Sequence, residues 1–448
     1  MADATTNSLT DAVRQAAHPL TGAGEDYDPL MELIGDARFV LIGEASHGTH
    51  EFYQQRAEIT KRLIQEKGFT AVAIEADWPD AYRVNRYVRG IDDDATSRDA
   101  LSGFRGFPAW MWRNTVVLNF VNWLRQYNDA LPQTATKVGF YGLDLYSLYS
   151  SIEAVLTYLD KIDPEAAKRA RSRYSCLEHF GEDTQAYGYA ATFGLTKSCE
   201  DEAINQLLEL QHRSSEYAAA DGQMAEEEFF YAEQNARLVK DAEEYYRSMF
   251  RTRVSSWNLR DRHMAETLDQ LVTHLDKQGG RTKVVVWAHN SHLGDARATD
   301  MGAAEELNVG QLVREQYGSD AVLVGFSTYS GTVTAASNWG GPAERKRVRP
   351  ALSDSYEALF HQTGLPRFLL NLRDGGSVVE GLRHKRLERA IGVIYLPQTE
   401  RLSHYFPARL SDQFDAVIHF DETQAVEPLE RIADWETQEV PETFPSAL

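Results

Sequence analysis

Apolar residues in this chain follow two rhythms, and the way these alternate predicts the architecture. Short unbroken runs at residues 39–42, 69–74, 137–141 and 283–287 read as strands buried on both faces of a parallel sheet. Between the first two lies a helical pattern over residues 51–67, closed by Gly68. That is a strand–helix–strand unit of the right length for a parallel crossover. Residues 8–35 form a helical lead-in broken at Pro19 and at Gly22-Ala23-Gly24. Further strands are predicted at 322–326, 332–335, 367–370, 391–395 and 416–420.

From residue 150 to about 275 the apolar spacing becomes helical throughout. The segment 226–249 is charged on its outer faces. Phe229, Tyr231, Leu238, Ala242, Tyr245, Tyr246 and Phe250 give it a stripe that reads as packing and not as a cofactor site. The chain therefore divides into an N-terminal α/β part (1–149), a helical insertion (150–275) and a C-terminal α/β part (276–448). The expected fold is α/β, a mixed and mostly parallel central sheet flanked by helices and roofed by the insertion.

Every one of the early strands runs into polar residues. Residues 39–42 are followed by Glu44 and His47, 69–74 by Glu75, and 283–287 by His289 and His292. Open α/β sheets place their chemistry beyond the carboxyl ends of the strands, and neighbouring strands lie about 5 Å apart. If these strands are neighbours, their polar ends converge. Arg56 shares a helix face with Phe52, Ile59 and Leu63, so its guanidinium must meet a carboxylate or a substrate oxygen. A structural pair with Glu44 or Glu75 is the plainer alternative.

Histidine titrates near neutrality and takes a proton from water, while an adjacent carboxylate fixes its tautomer and stabilises the imidazolium. Arginine and further histidines stabilise a developing oxyanion. The set suits hydrolysis by activated water. Ser46 is a poor nucleophile candidate, because no G-x-S-x-G elbow occurs and an extended segment points Ser46 away from His47. A metal-dependent alternative uses Glu44, His47, Glu75, His289 and His292 as ligands, although no H-E-x-x-H helix is present. Phosphate-loop and dinucleotide fingerprints are missing.

Lys and Arg total 46 against 67 Asp and Glu, a net charge of −21. Such a chain is repelled by nucleic acid and anionic membranes, and a neutral or cationic small molecule suits its field better. Cys176 and Cys199 supply neither a zinc ribbon nor a disulfide framework. Without a secretory leader pattern or an apolar run of membrane-spanning length, a cytoplasmic monomer or weak homo-oligomer is expected.

The run Leu41-Ile42-Gly43-Glu44-Ala45-Ser46-His47-Gly48 with Ala73-Ile74-Glu75-Ala76-Asp77 resembles the erythromycin esterase family. So do Ser256-Trp257-Asn258-Leu259-Arg260-Asp261, Trp287-Ala288-His289-Asn290-Ser291-His292 and Arg401-Leu402-Ser403-His404-Tyr405. The likeness covers roughly residues 30–430. It implies an α/β core with helical insertions around a deep active-site cleft. It also implies hydrolysis of a macrolide lactone by histidine-activated water, with no metal or other cofactor. By the resemblance His47 is the general base, Glu44 the acid three residues before it and Arg56 the arginine nine after it. Glu75 is the second carboxylate, and His289 and His292 are the pair after the later strand. Expected substrate contacts are Trp78, Asp77, Tyr146, Asn290, His404 and Tyr405, with Tyr82, Trp110, Trp112, Tyr149 and Asp144 as further neighbours. A protein that only sequesters a macrolide in the cleft is the non-enzymatic alternative.

Overall fold

The computed structural model describes residues 2–430 apart from 92–93, 179, 181–182, 219–222 and 252. Eleven strands occur among the described residues: β1 (His18–Pro19), β2 (Phe39–Ile42), β3 (Ala71–Asp77), β4 (Gly139–Asp144), β5 (Val284–Trp287), β6 (Ala321–Ala335), β7 (Glu344–Val348), β8 (Arg367–Asn371), β9 (Arg386–Arg389), β10 (Tyr405–Ala408) and β11 (Ala416–Thr423). The main sheet runs β1-β8-β11-β6-β2-β5-β3-β4, with β7 paired to β6. From β11 to β4 neighbouring strands are parallel, whereas β8 lies antiparallel to β11. The fold is thus mixed α/β with a mostly parallel sheet, as the apolar runs predict.

The central strands are buried along their whole length because both faces are covered. Val40, Ile42, Val72, Ile74 and Val285 join a core with Phe52, Ile59 and Leu63 of the His50–Lys67 helix. Their alternates Phe39, Leu41, Ala71, Ala73, Val284 and Val286 belong to the core under the other layer. Period-two alternation therefore makes three layers from strands that look uniformly apolar. The crossover helix ends at Gly68, whose φ of 71° is the left-handed conformation glycine adopts freely.

Several boundaries differ from the predicted ones. β3 continues three residues past Ile74, so Glu75 stands on the strand itself, and the register with β4 shifts between Ile74 and Asp77. β4 begins at Gly139 and carries Asp144 as its last residue. The two segments expected at 322–326 and 332–335 are one strand of 15 residues. Residues 391–395 form isolated bridges only, Ile391 with Ser46 and Ile394 with Ala336. β7 and the β9–β10 hairpin are not predicted, because a charged edge strand such as Glu-Arg-Lys-Arg-Val offers no apolar run.

Helices between Leu148–Ile162 and Arg253–Gly279 cover one layer, the last two spanning 26 and 27 residues. Phe229, Leu238, Ala242 and Tyr246 are buried in the core and Tyr245 packs against it as the stripe predicts, and the two tyrosines also line a cleft. Cys176 and Cys199 are joined in a disulfide, which corrects the expectation that a disulfide framework is excluded. Their spacing of 23 residues gives no sign of it; helix packing brings them together. No described helix is long and apolar enough to cross a membrane.

Candidate active site

β2, β5, β3 and β4 are consecutive in the sheet, so their carboxyl ends form one row. After Ile42 the chain turns through residues 43–49, held closely on both sides. His47 N–H donates to Ile391 O at 3.2 Å, and Gly48 O accepts from Thr334 N at 3.0 Å and Val426 N at 2.8 Å. A Cβ on Gly48 would run into the Thr334 backbone, so only glycine fits there. Ser46 Oγ bonds Thr49 Oγ1 in the interior, away from the cleft.

Glu44 is 1% exposed and divides its oxygens between two partners. Oε1 lies 3.0 Å from His47 Nδ1, and Oε2 accepts from Arg56 Nη2 at 2.7 Å. The Arg56 guanidinium is fully buried between the rings of Tyr53 (4.5 Å) and Trp287 (5.2 Å). Arg56 therefore takes its structural alternative, an ion pair with Glu44, and does not line the cleft. The Tyr53 hydroxyl donates to His47 O at 2.6 Å, fixing the His47 backbone from behind.

Glu75 is the hub of a second network. Oε2 accepts the His289 backbone N–H at 2.8 Å, and Oε1 accepts from Arg260 Nη2 at 2.8 Å with His292 Nε2 at 3.3 Å. Arg260 also grips Asp144 through Nε (2.9 Å) and Nη2 (2.5 Å). Burial pushes the Glu75 carboxyl up, but His292, His47 and Arg260 together hold it well below the usual carboxylate range. His292 Nδ1 sits 2.9 and 3.0 Å from the two oxygens of Asp261, and Trp257 stacks on the ring at 4.6 Å. Burial lowers His292, yet Asp261 and Glu75 outweigh it and lift the ring to about 9.

His289 is different. Its Nδ1 accepts from the Ser291 backbone N–H at 3.2 Å and lies 2.8 Å from Ser291 Oγ, while the buried Nε2 makes no hydrogen bond of good geometry among the described residues, the Ala45 carbonyl lying near the ring. A backbone N–H only donates, so the ring proton belongs on Nε2. Burial and then the neighbouring His47 keep this imidazole well below its ordinary value, hence neutral. The His47 and His289 rings are 4.8 Å apart.

These groups form the floor of a cleft of about 1120 Å³. His47, Glu75, His289 and His292 line it, as do Asp77, Tyr146, His404 and Tyr405 among the expected contacts. Trp78 and Asn290 do not. Trp78 is 1% exposed and stacks on Tyr82 and Tyr141, because the helix it begins turns it into the core. Asn290 pins β5 to β6, donating from Nδ2 to Phe326 O at 2.8 Å. Of the further aromatic neighbours Trp112 lines the cleft, and its Nε1 donates to Glu75 O at 3.2 Å.

Arg260, Asp261 and Trp257 carry no role in the sequence reading although their motif is singled out there. A 27-residue helix does not reveal which of its faces meets a distant strand end. Arg260 fills the space among Glu75, Asp144 and His292 where a cation would otherwise be drawn. Among the described residues no group of three or more His, Cys, Asp and Glu side chains is disposed to hold a metal ion.

An acid-buttressed histidine in such a cleft is the equipment of a hydrolase, and the relatives of the chain support that class. Residues 64–423 match the family model described as erythromycin esterase, and the chain belongs to that family. It is 25% identical to erythromycin esterase type II of Escherichia coli, over 69% of this chain and 74% of that protein. Over 91% of this chain and 89% of the relative, it is 22% identical to YbfO of Bacillus subtilis, named only provisionally as a hydrolase. A solved Bacillus cereus protein superposes with a TM-score of 0.77 at 23% identity, covering 95% of this chain and 99% of that one. The erythromycin esterase EreC, a mutant in its open conformation, does so at 0.67 and 16%, covering 90% and 95%. These two likenesses show the fold.

Proposed function

We propose that the protein hydrolyses a carboxylic ester, a macrocyclic lactone such as that of erythromycin, with water activated by His47. One observation carries this reading: Glu44 holds His47 Nδ1 while Arg56 holds Glu44. The carboxylate accepts the Nδ1 proton, so the Nε2 lone pair is the one presented to the cleft. A water between Nε2 and the substrate carbonyl loses a proton to Nε2 as its oxygen attacks carbon. Glu44 stabilises the imidazolium that results, and the Arg56 ion pair holds Glu44 in place.

His289 complements the base. Its Nε2–H, which makes no hydrogen bond of good geometry among the described residues, is suited to donate to the carbonyl oxygen as negative charge develops. A neutral imidazole can fill this role through the one N–H it carries. Glu75 secures the His289 backbone, and Arg260 and His292 secure Glu75. Collapse of the tetrahedral intermediate then breaks the ring C–O bond, and the His47 imidazolium gives its proton to the departing alkoxide oxygen, leaving a hydroxy acid.

The size of the cleft supports a large substrate, since about 1120 Å³ exceeds the roughly 300–1,000 Å³ of common small-molecule sites. Mass spectrometry of erythromycin, other macrolides and simple aryl esters incubated with the protein tests the proposal. The expected product has gained one water. Tight binding without mass gain identifies a sequestering protein instead, and loss of turnover on chelation identifies the metal-dependent alternative.

A further inference from the structure

We propose that Trp339, Phe107 and Leu402 form an outer subsite for the apolar body of the substrate, separate from the groups that act on its carbonyl. The inference rests on the ester-hydrolase reading of the cleft and names which part of the ester that cleft selects. Trp339 sits in the 336–343 loop of the β6–β7 hairpin, where Ala335 pairs with Glu344. Gly340, at a φ of 74°, turns the chain directly behind it. The hairpin thereby presents an indole that is 61% exposed. Leu402, from the family-like motif at 401–405, is 89% exposed. The Phe107 ring packs against Trp339 at 5.0 Å and an interplanar angle of 63°.

Single exposed apolar residues are ordinary on protein surfaces, but convergence on one feature is not. Three elements remote in sequence bring these side chains to the cleft whose floor holds His47 and His289. The apolar Val393 and Phe406 continue the same lining inward. Such a surface recognises hydrocarbon and ring faces, and it lacks a charged group of its own to orient a reacting bond. The matching ligand is an ester with a bulky, largely apolar acyl or macrocyclic portion whose carbonyl reaches the histidines. Contacts with the apolar body that hold ground and transition states equally are lost in KM, and that is the signature a binding subsite should show.

The test compares Trp339→Ala with the unaltered protein on two nitrophenyl esters, an acetate and one with a bulky apolar acyl group. The expected result is a fall of about 10-fold in selectivity for the bulky ester, carried by KM and largely recovered in Trp339→Phe. An equal change for both esters, or no change, overturns the subsite. Calorimetric titration of erythromycin into His47→Ala and into the His47→Ala, Trp339→Ala double variant reads the same subsite without turnover. About 10-fold weaker binding in the double variant upholds it even if the hydrolase reading fails; equal affinity overturns it. A concentration-dependent dimer that Trp339→Ala dissolves would assign the lip to a second copy of the chain, and that too overturns it.

Discussion

His47 Nδ1 stands 3.0 Å from Glu44 Oε1, and Arg56 occupies the other oxygen of the same carboxylate. The His47 ring is therefore oriented by a buried ion pair and not by solvent. Glu44→Gln keeps the shape but frees the choice of tautomer and leaves Arg56 without a buried countercharge. We expect kcat to fall on the order of 1,000-fold or more. Denaturant unfolding should show a loss of about 3 kcal/mol or more from the orphaned cation.

His289 gives a separate prediction. With Nδ1 bound by Ser291 N–H, the only ring proton it has to offer is on Nε2. His289→Ala should lower kcat by about 100-fold to 1,000-fold while KM changes much less. Steady-state kinetics on one ester separates the two constants, and a loss confined to KM would deny His289 the oxyanion role.

The Asp261–His292 pair links stability to pH. His292 is lifted to about 9 in the folded protein, above an unfolded value near 6.5. Because the folded value is the higher one, the stabilisation is complete below about pH 6.5 and is lost as pH rises through 9. The loss should amount to about 3 kcal/mol between those limits. Urea unfolding at several pH values measures it, and Asp261→Asn, which removes the carboxylate holding Nδ1, should flatten the profile.

The Cys176–Cys199 disulfide closes a loop of 23 residues within the helical layer. That loop carries Thr184 and Gln185, which line the cleft. Replacing both cysteines with alanine should cost about 3 kcal/mol in unfolding free energy. A thiol reagent added to the native, unreduced protein should find no reactive cysteine.

The sequence showed the strand ends clearly and their neighbours poorly. Phe39–Ile42 and Val284–Trp287 are legible because four apolar residues in a row belong only where both faces are covered. Glu44, His47, Glu75, His289 and His292 stand out because polar groups follow such runs at once. Strand order comes from pairing between distant segments, so the adjacency of β2, β5, β3 and β4 had to be supposed. Arg260 and Asp261 were opaque for a related reason: nothing local on a long helix says that its guanidinium will bridge Glu75 and Asp144. Trp78 misled by proximity, since the helix starting there rotates the indole to the core while Asp77 beside it lines the cleft.

On the proposed mechanism His47 takes the proton from the attacking water. Turnover of an ester that the unaltered protein cleaves, measured for His47→Ala beside it, tests this most directly. The expected result is a fall in kcat of about 1,000-fold or more, with a melting temperature within a few degrees of the unaltered protein. Hydrolysis by His47→Ala at the unaltered rate would contradict it.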